Sequence, residues 1–355
     1  MGNRTKHQSE DFLFNTIQAC IEWCESGAGF GATSQITGAG AIEEAEMRFS
    51  ALHSNRPALL TASATYGIRS ALRASGVGVG DIVMMPKYDW PASYAAALSI
   101  GAVPRLMPVA PDTFTLDPNS ISKNDLSETK AICATHIYGT PADIPAIREK
   151  AGDGIAIIED CAQAIGSSLD GRLAGTLGSD YAVYSFGPGK QIDTGEGGMI
   201  LSKDWDAYEK VLKETQHPVR QIRNGAGDVD FCAFSIRPHP LTAVLLLQKL
   251  KSYEINERQS MFGHLVEKLS GISGCRLIGV DNRRRNAQLK APAVLDGCEE
   301  AILRKYSCTN SGAFDLGKMS KAPEGVTLIA EQGSAQDAEE LPQIPIDISC
   351  ILRLL

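Results

Sequence analysis

A single lysine, Lys190, stands in YSFGPGKQIDTGEGG (184–198), between a short apolar run and a Gly-Glu-Gly-Gly turn. A primary amine in so bare a loop can form a Schiff base with an aldehyde. Asp160 closes the apolar run IAIIED (155–160), and a carboxylate buried at the end of such a strand needs a cationic partner, for which a protonated pyridine nitrogen would serve. Thr65 opens a segment of helical spacing, where free N–H groups and the helix dipole favour a phosphate and the hydroxyl can donate to the same anion; Ser185 can add a second hydroxyl. Amine, carboxylate and anion cradle are the three groups pyridoxal phosphate requires. Taken singly, each residue has an ordinary reading: a solvated lysine, an aspartate at a turn, a threonine N-cap and, for Trp90, a core aromatic.

The groups meet only if the chain between them builds a sheet with its strand ends on one side. PALLTAS (57–63), DIVMMP (81–86), VPRLMPV (103–109), TKAICATHIYG (129–139) and IAIIED are predicted strands. TYGIRSALRASG (65–76), PASYAAALSIG (91–101) and ADIPAIREKAG (142–152) are predicted helices between them, the first with apolar Ile68, Ala71 and Leu72 and a stop at Gly76. Steps of this length predict a mainly parallel sheet covered by helices on both faces. Residues 165–180 are Gly-rich and predict a loop; YAVYSF (181–186) and GMILS (198–202) predict strands flanking the lysine. Ligands of such sheets bind beyond the carboxyl ends of the strands. There the spacing collects Ser63 to Thr65, Asp89 and Trp90, His136 to Gly139, Asp160 and Gln163, and Ser185 and Lys190. A charged helix follows at 203–216, then an irregular stretch at 217–240, then one long helix or two over 241–271. The last 80 or so residues are less regular and predict a smaller domain.

Bulk properties narrow the function classes. The 355 residues carry a net charge of −8, against a nucleic-acid partner. Nine cysteines without a C-x-x-C fit buried thiols in a reducing cytosol rather than a disulfide framework or zinc site. Cys20 and Cys24, four apart, could meet a metal, but two half-buried thiols are the simpler reading, and no metal site is expected. The polar N-terminus is no signal peptide, and no apolar run is long enough for a membrane span, so a soluble cytoplasmic protein is expected. No G-x-G-x-x-G follows a strand in the first half, against a nicotinamide dehydrogenase.

ASATYGIRSAL resembles an S-G-T-x-A-L phosphate turn, PKYDWPAS a P-x-x-[ST]-aromatic-x-A-[ST] segment, and THIYGTPADIPAI an H-x-Y-G-x-P-A-D-x-x-x-I segment. IIEDCAQAIGSS is similar to a hydrophobic-E-D-x-A-Q-A-x-G motif, and SFGPGKQIDTGEGG to S-F-x-x-x-K-x-[IL]-x-x-G-E-G-G. In this order the motifs are those of the DegT/StrS-type family of PLP-dependent sugar aminotransferases, which the chain resembles from about Gly38 to Glu267. The resemblance implies the three-layer α/β fold type I of aspartate aminotransferase, mainly parallel, with a large PLP-binding domain over 1–245 and a smaller, shortened C-terminal α/β domain over 246–355. It implies that Lys190 carries the cofactor and then shuttles a proton, that Asp160 keeps the pyridine nitrogen protonated, that Gln163 bonds the ring's 3′ oxygen and that Trp90 stacks on the ring. Ala64, Thr65 and Ser185 would hold the phosphate, and the glycines around Lys190 would leave room for the cofactor.

The chain departs from the family pattern at several points. Ala64 stands where the family has glycine. Ser235-Ile236-Arg237 stands where the family has N-x-R, whose Asn reaches the partner subunit's phosphate, so Ser235 is the matching position. Pro238 and Pro240 fall at the start of the long helix, and the C-terminal region lacks the family's Pro-x-His segment. The implied activity is amino transfer from glutamate or glutamine to a keto sugar, nucleotide-linked, in antibiotic or polysaccharide biosynthesis, by a homodimer with its active site at the subunit interface. Alternatives are another PLP-dependent reaction (elimination, decarboxylation or cyclisation) and a non-catalytic relative. Dehydratase relatives carry His in place of the lysine, and Lys190 argues against that branch.

Overall fold

The computed structural model describes residues 6–26, 36–287, 290–295, 307–310, 314–315 and 346–349. Helices α1 (Lys6–Glu25) and α2 (Ala41–Leu52) precede an alternating series. This runs β1 (Ala58–Thr61), α3 (Ala64–Ala74), β2 (Ile82–Pro86), α4 (Ala92–Leu98), β3 (Val103–Met107), α5 (Lys123–Glu128), β4 (Thr129–Thr135), α6 (Ile144–Ala151) and β5 (Ala156–Asp160). Strands β6 (Tyr181–Ser185) and β7 (Gly198–Ser202) follow, then helices α7 (Trp205–Thr215), α8 (Pro218–Arg223), α9 (Pro240–Lys251) and α10 (Ile255–Ser270). The fold is the α/β arrangement expected, with helices on both faces of a mainly parallel sheet.

The seven strands lie in the order β1-β7-β6-β5-β4-β2-β3. Strand β7 is antiparallel to both its neighbours, and the pairs from β6 to β3 are parallel. The register aligns Thr61 with Gly198, Gly198 with Ser185, and Thr135 with Asp160, so these residues share one end of the sheet. Because side chains alternate along a strand, Leu59, Ile158, Val183 and Ile200 bury one way, against Ile68 and Leu72 of α3 and Val211 of α7. Leu60, Tyr184 and Leu201 bury the other way, against Phe49 of α2 and Leu246 of α9. On the β4–β5 half that second face is closed by Ile144 and Ile147 of α6. Each such side chain contributes roughly 1.5–3 kcal/mol on full burial, which is why these strands are nearly continuous apolar runs.

At the β1 edge, Glu46 of α2 accepts the Leu60 N–H at 2.8 Å and forms a bidentate pair with buried Arg220 at 2.6 and 2.8 Å. Thus β1, which among the described residues has no strand on its outer side, is fixed there by a side chain.

Three segments differ in detail from the sequence expectation. Residues 165–180 hold a small hairpin, Ser168–Leu169 with Arg172–Leu173, turned by Asp170 and Gly171 at φ 49 and 76. Two-residue strands are too short to show a periodicity, although Asp-Gly is a hairpin turn pair. The irregular stretch contains α8, which Pro218 starts. Of the two alternatives for 241–271, the structure has two helices, broken at 252–254. The apolar start, α9, packs on α1 and α2. Of the expected smaller domain, the part up to Ala287 and four short strands are described; the rest of 246–355 lies outside the described residues.

Candidate active site

Lys190 sits in the connection between β6 and β7. Its own N–H donates to Gly187 O at 3.2 Å, with Pro188 second and Gly189, at φ 79, third in the turn, as a type II turn takes. Asp193 accepts from Gly189 N at 3.0 Å and Gly195 N at 2.8 Å, clamping both sides of the loop. Phe186 N donates to Gly197 O, and a Cβ on Gly197 would come within 2.7 Å of Thr242. The glycines therefore serve turns and close packing of the loop itself, whereas a Cβ on Gly187 would meet nothing closer than 3.6 Å. Next to the lysine, Gln191 donates to Ala287 O at 2.9 Å and accepts from the Tyr253 hydroxyl, so the loop is latched to residues far along the chain.

Asp160 ends β5 and is 3% exposed. It accepts from the Ser93 hydroxyl at 3.1 Å and Ala162 N at 2.9 Å, both neutral donors. Burial pushes its carboxyl up; Ala162 N–H, the Lys190 charge and Ser93 work against that, and the net direction is up. The Lys190 charge also acts on Asp89, so the amine and both carboxyls lie within electrostatic reach of one another. Behind Asp160, buried Glu159 faces away from this group. It bonds His136 Nε2 at 3.0 Å, Ser179 Oγ at 2.6 Å and Gly175 N at 2.7 Å. Burial raises the Glu159 carboxyl, but these bonds and the Arg56 charge outweigh it and hold the group below the ordinary range. His136 Nδ1 accepts from Ala142 N at 2.8 Å, so Nε2 carries the hydrogen and donates to Glu159. Cys161 lies near these two, and the three side chains offer ligand atoms within 4.8 Å of one another. Both imidazole nitrogens are already engaged, which makes this a bracing network for the β4 and β5 ends.

The third corner is the start of α3. Ser63 is the N-cap, accepting from Tyr66 N at 3.3 Å. Thr65, expected to open the helix, is its second residue and is exposed. Ala64 takes a helical φ, so alanine in the family's glycine position brings no strain. Among the described residues the N–H groups of Ala64 and Thr65 have no partner. A Cβ on Gly198 would lie 2.6 Å from Ala64 N and Ser63 C, so only glycine lets the helix start approach β7 this closely. Across that register, Ser185 is half-buried at the end of β6 and accepts from Gly187 N at 3.4 Å.

The remaining expected residues divide. Trp90, 42% exposed, stands at the mouth of the β2 exit with its N–H on Asp89. Gln163 accepts from Tyr138 N at 2.8 Å, which engages its carbonyl oxygen with the backbone. Ser235 is exposed, on a segment stitched by Ile236 to Thr215 and to Ala62 beside the α3 entry. Sequence reasoning gave Asp89, Ser93 and Thr135 no role, yet Thr135 donates to Asp89 at 2.6 Å and Ser93 to Asp160. The signal for Ser93 was the closing hydroxyl of PKYDWPAS.

A buried carboxylate bonded by neutral donors, an amine within its electrostatic reach and helix N–H groups without partners among the described residues fit the three chemical ends of pyridoxal phosphate. The chain is 36% identical over 168 residues to an L-glutamine:2-deoxy-scyllo-inosose aminotransferase of Streptomyces kanamyceticus, covering 46% of this chain and 39% of that protein. It is 37% identical over 184 residues to a dTDP-3-amino-3,4,6-trideoxy-alpha-D-glucose transaminase of Streptomyces venezuelae, covering 51% and 48%. The matched stretches thus span half or less of these relatives. The solved structure of S. venezuelae DesV in complex with a ketimine intermediate shares the fold, with TM-score 0.70, 24% identity and coverage of 97% of this chain and 91% of that one. The model of the DegT/DnrJ/EryC1/StrS aminotransferase family matches residues 31–305, and the chain belongs to that family.

Proposed function

We propose that the protein is a PLP-dependent aminotransferase that moves an amino group from glutamate or glutamine to a keto sugar, nucleotide-linked, in a biosynthetic pathway. The observation that carries the reading is buried Asp160 at the strand end with the Lys190 charge within electrostatic reach. Pyridoxal phosphate bound there supplies an aldehyde for the amine and a ring that accepts electrons. Asp160 keeps the ring nitrogen charged, since a buried carboxylate gains most from a cation beside it. The α3 N-terminus, with Ala64, Thr65 and Ser185, holds the phosphate through N–H and hydroxyl donors. Trp90 would cover one ring face, and Gln163, its carbonyl oxygen held by Tyr138 N, would offer its amide NH2 to the ring oxygen. Lys190 Nζ would take and return the proton at the substrate carbon.

The keto-sugar acceptor and the amide donor are supported by the names of the curated relatives. We assign the active form to a homodimer with the site at the subunit interface and Ser235 turned to the partner's phosphate. The exposed Phe231 (84%) and Ile222 (65%) beside that segment support it. No helix of the described residues is long and apolar enough to cross a membrane, and a cytoplasmic enzyme with a large domain over 1–245 completes the proposal.

The test is to mix the purified protein with pyridoxal phosphate and a panel of amino acids. A visible absorption band should form, and glutamate or glutamine should bleach it. Lys190→Ala should lose the band and turnover while keeping the wild-type melting behaviour. A colourless wild-type protein that takes up no cofactor refutes the reading.

A further inference from the structure

Asp89 is fully buried beyond the end of β2, in a two-residue strand with Tyr88 that pairs with Phe314 and Asp315. Its Oδ2 accepts from Thr135 Oγ1 at 2.6 Å and its Oδ1 from Trp90 N at 2.7 Å. Thr135 is also the register partner of Asp160 on the neighbouring strand, and paired strands lie about 4.8 Å apart. Ser93, in the first turn of α4 just past Asp89, donates to Asp160 Oδ2 at 3.1 Å. The two carboxyls are thus bracketed by one threonine and one serine in a single buried pocket. Within electrostatic reach of them are the Lys190 amine from the β6–β7 loop, the His136 ring and the Cys133 thiol from β4 and its exit. His136 is already committed to Glu159 and Ala142. The pocket therefore sets two acids against the single charge of Lys190, and a second buried anion without a cation is costly. A proton on one carboxyl removes that cost.

We propose that Asp89 and Asp160 act as one carboxyl pair, which keeps a shared proton until pyridoxal phosphate arrives and then hands it to the ring nitrogen, leaving Asp89 as a second anion that holds the ring charged. The step breaks a carboxyl O–H bond and forms a pyridinium N–H bond, with no change in oxidation state. It rests on the reading that Asp160 faces the ring nitrogen. Burial first, and then repulsion from Asp160, push the Asp89 carboxyl well up; burial pushes Asp160 up as well. Carboxyls raised in the folded state favour the protonated form. The pair's own contribution to apoprotein stability is therefore full at low pH and is lost as pH rises through its titration.

The experiment compares wild-type apoprotein with Asp89→Asn, whose amide can still accept from Trp90 N and donate to Thr135. Pyridoxal phosphate is titrated calorimetrically at mildly alkaline pH in buffers of different ionisation enthalpy, which counts protons exchanged with the solvent. Asp89→Asn should take up about one proton more per cofactor than wild type, because its empty site no longer stores one. Urea unfolding of the apoproteins should show a smaller fall in stability with rising pH for the variant. Asp89→Thr carries the same expectation where Asp89→Asn does not fold. Equal proton counts with normal binding, or unchanged pH slopes, overturn this inference alone; a wild type that binds no cofactor overturns it together with the proposed function.

Discussion

Replacing Gly198 by alanine tests the site through its backbone. The added Cβ would sit 2.6 Å from Ala64 N and Ser63 C and 2.8 Å from Ser63 O. The favourable separation is about 3.5–4.0 Å, so something must move by about 1 Å. The obstacle is backbone, and it is held: Ala62 N donates to Ile236 O, Gly67 N to Ser63 O, and Ser63 caps α3. The strand cannot yield either, because Gly198 is paired with Thr61 on one side and Ser185 on the other. Overpacking of this kind costs about 1–3 kcal/mol. Any relief comes from pushing the helix start away from the phosphate position, and charge-assisted bonds to those N–H groups are worth roughly 1.5–3 kcal/mol. Gly198→Ala should therefore lower the urea midpoint and weaken pyridoxal phosphate binding by about tenfold or more. Gly263→Ala is the control. It lies inside α10 with nothing within 4 Å of the new Cβ, and should gain about 0.5–1 kcal/mol with unchanged cofactor affinity. A Gly198→Ala protein with wild-type stability and affinity would refute the claim that the helix start is pressed against β7.

Glu46→Gln should cost roughly 3–5 kcal/mol in urea unfolding, because buried Arg220 keeps its charge and loses its counterion. The double variant Glu46→Gln with Arg220→Met should recover most of that; equal losses in both would show that the pair is not the cause. His53 is buried and packed on Phe49, and burial pulls its imidazole down to about 4. A histidine lowered in the folded state contributes stability that is complete above about 6.5 and is lost as pH falls through that range to about 4, roughly 3 kcal/mol. His53→Leu should remove that part of the acid sensitivity, and matching pH slopes for variant and wild type would contradict it.

The apolar strands were legible because a sheet covered on both faces demands runs such as IAIIED, and their ends fixed where Asp160, Ser185 and Lys190 had to stand. Local chemistry was readable in part: Pro188-Gly189 suits the turn before the lysine, whereas the cap expected at Thr65 falls on Ser63, two residues earlier. What escaped was set by neighbours distant in sequence. Asp89 is one strand-end residue among several until Thr135, on another strand, is placed against it. Gly198 reads only as the first residue of a strand until α3 is seen resting on it. The Asp170–Gly171 hairpin was hidden by the shortness of its strands, and the break at 252–254 has no Gly or Pro to announce it.

The reversal of β7 bears on the order in which the molecule is assembled. Among the described residues, β1 has one strand neighbour, and that neighbour is β7, more than a hundred residues further along the chain. As the polypeptide emerges from the ribosome, β2 to β5 can pair among themselves, while β1 and the helix it feeds wait beside an incomplete edge. Only when residues 198–202 slot between β1 and β6 do the two sides close. Long-range closures of this kind are slow to form, so a nascent chain stopped before Gly198 should bind no anion at α3.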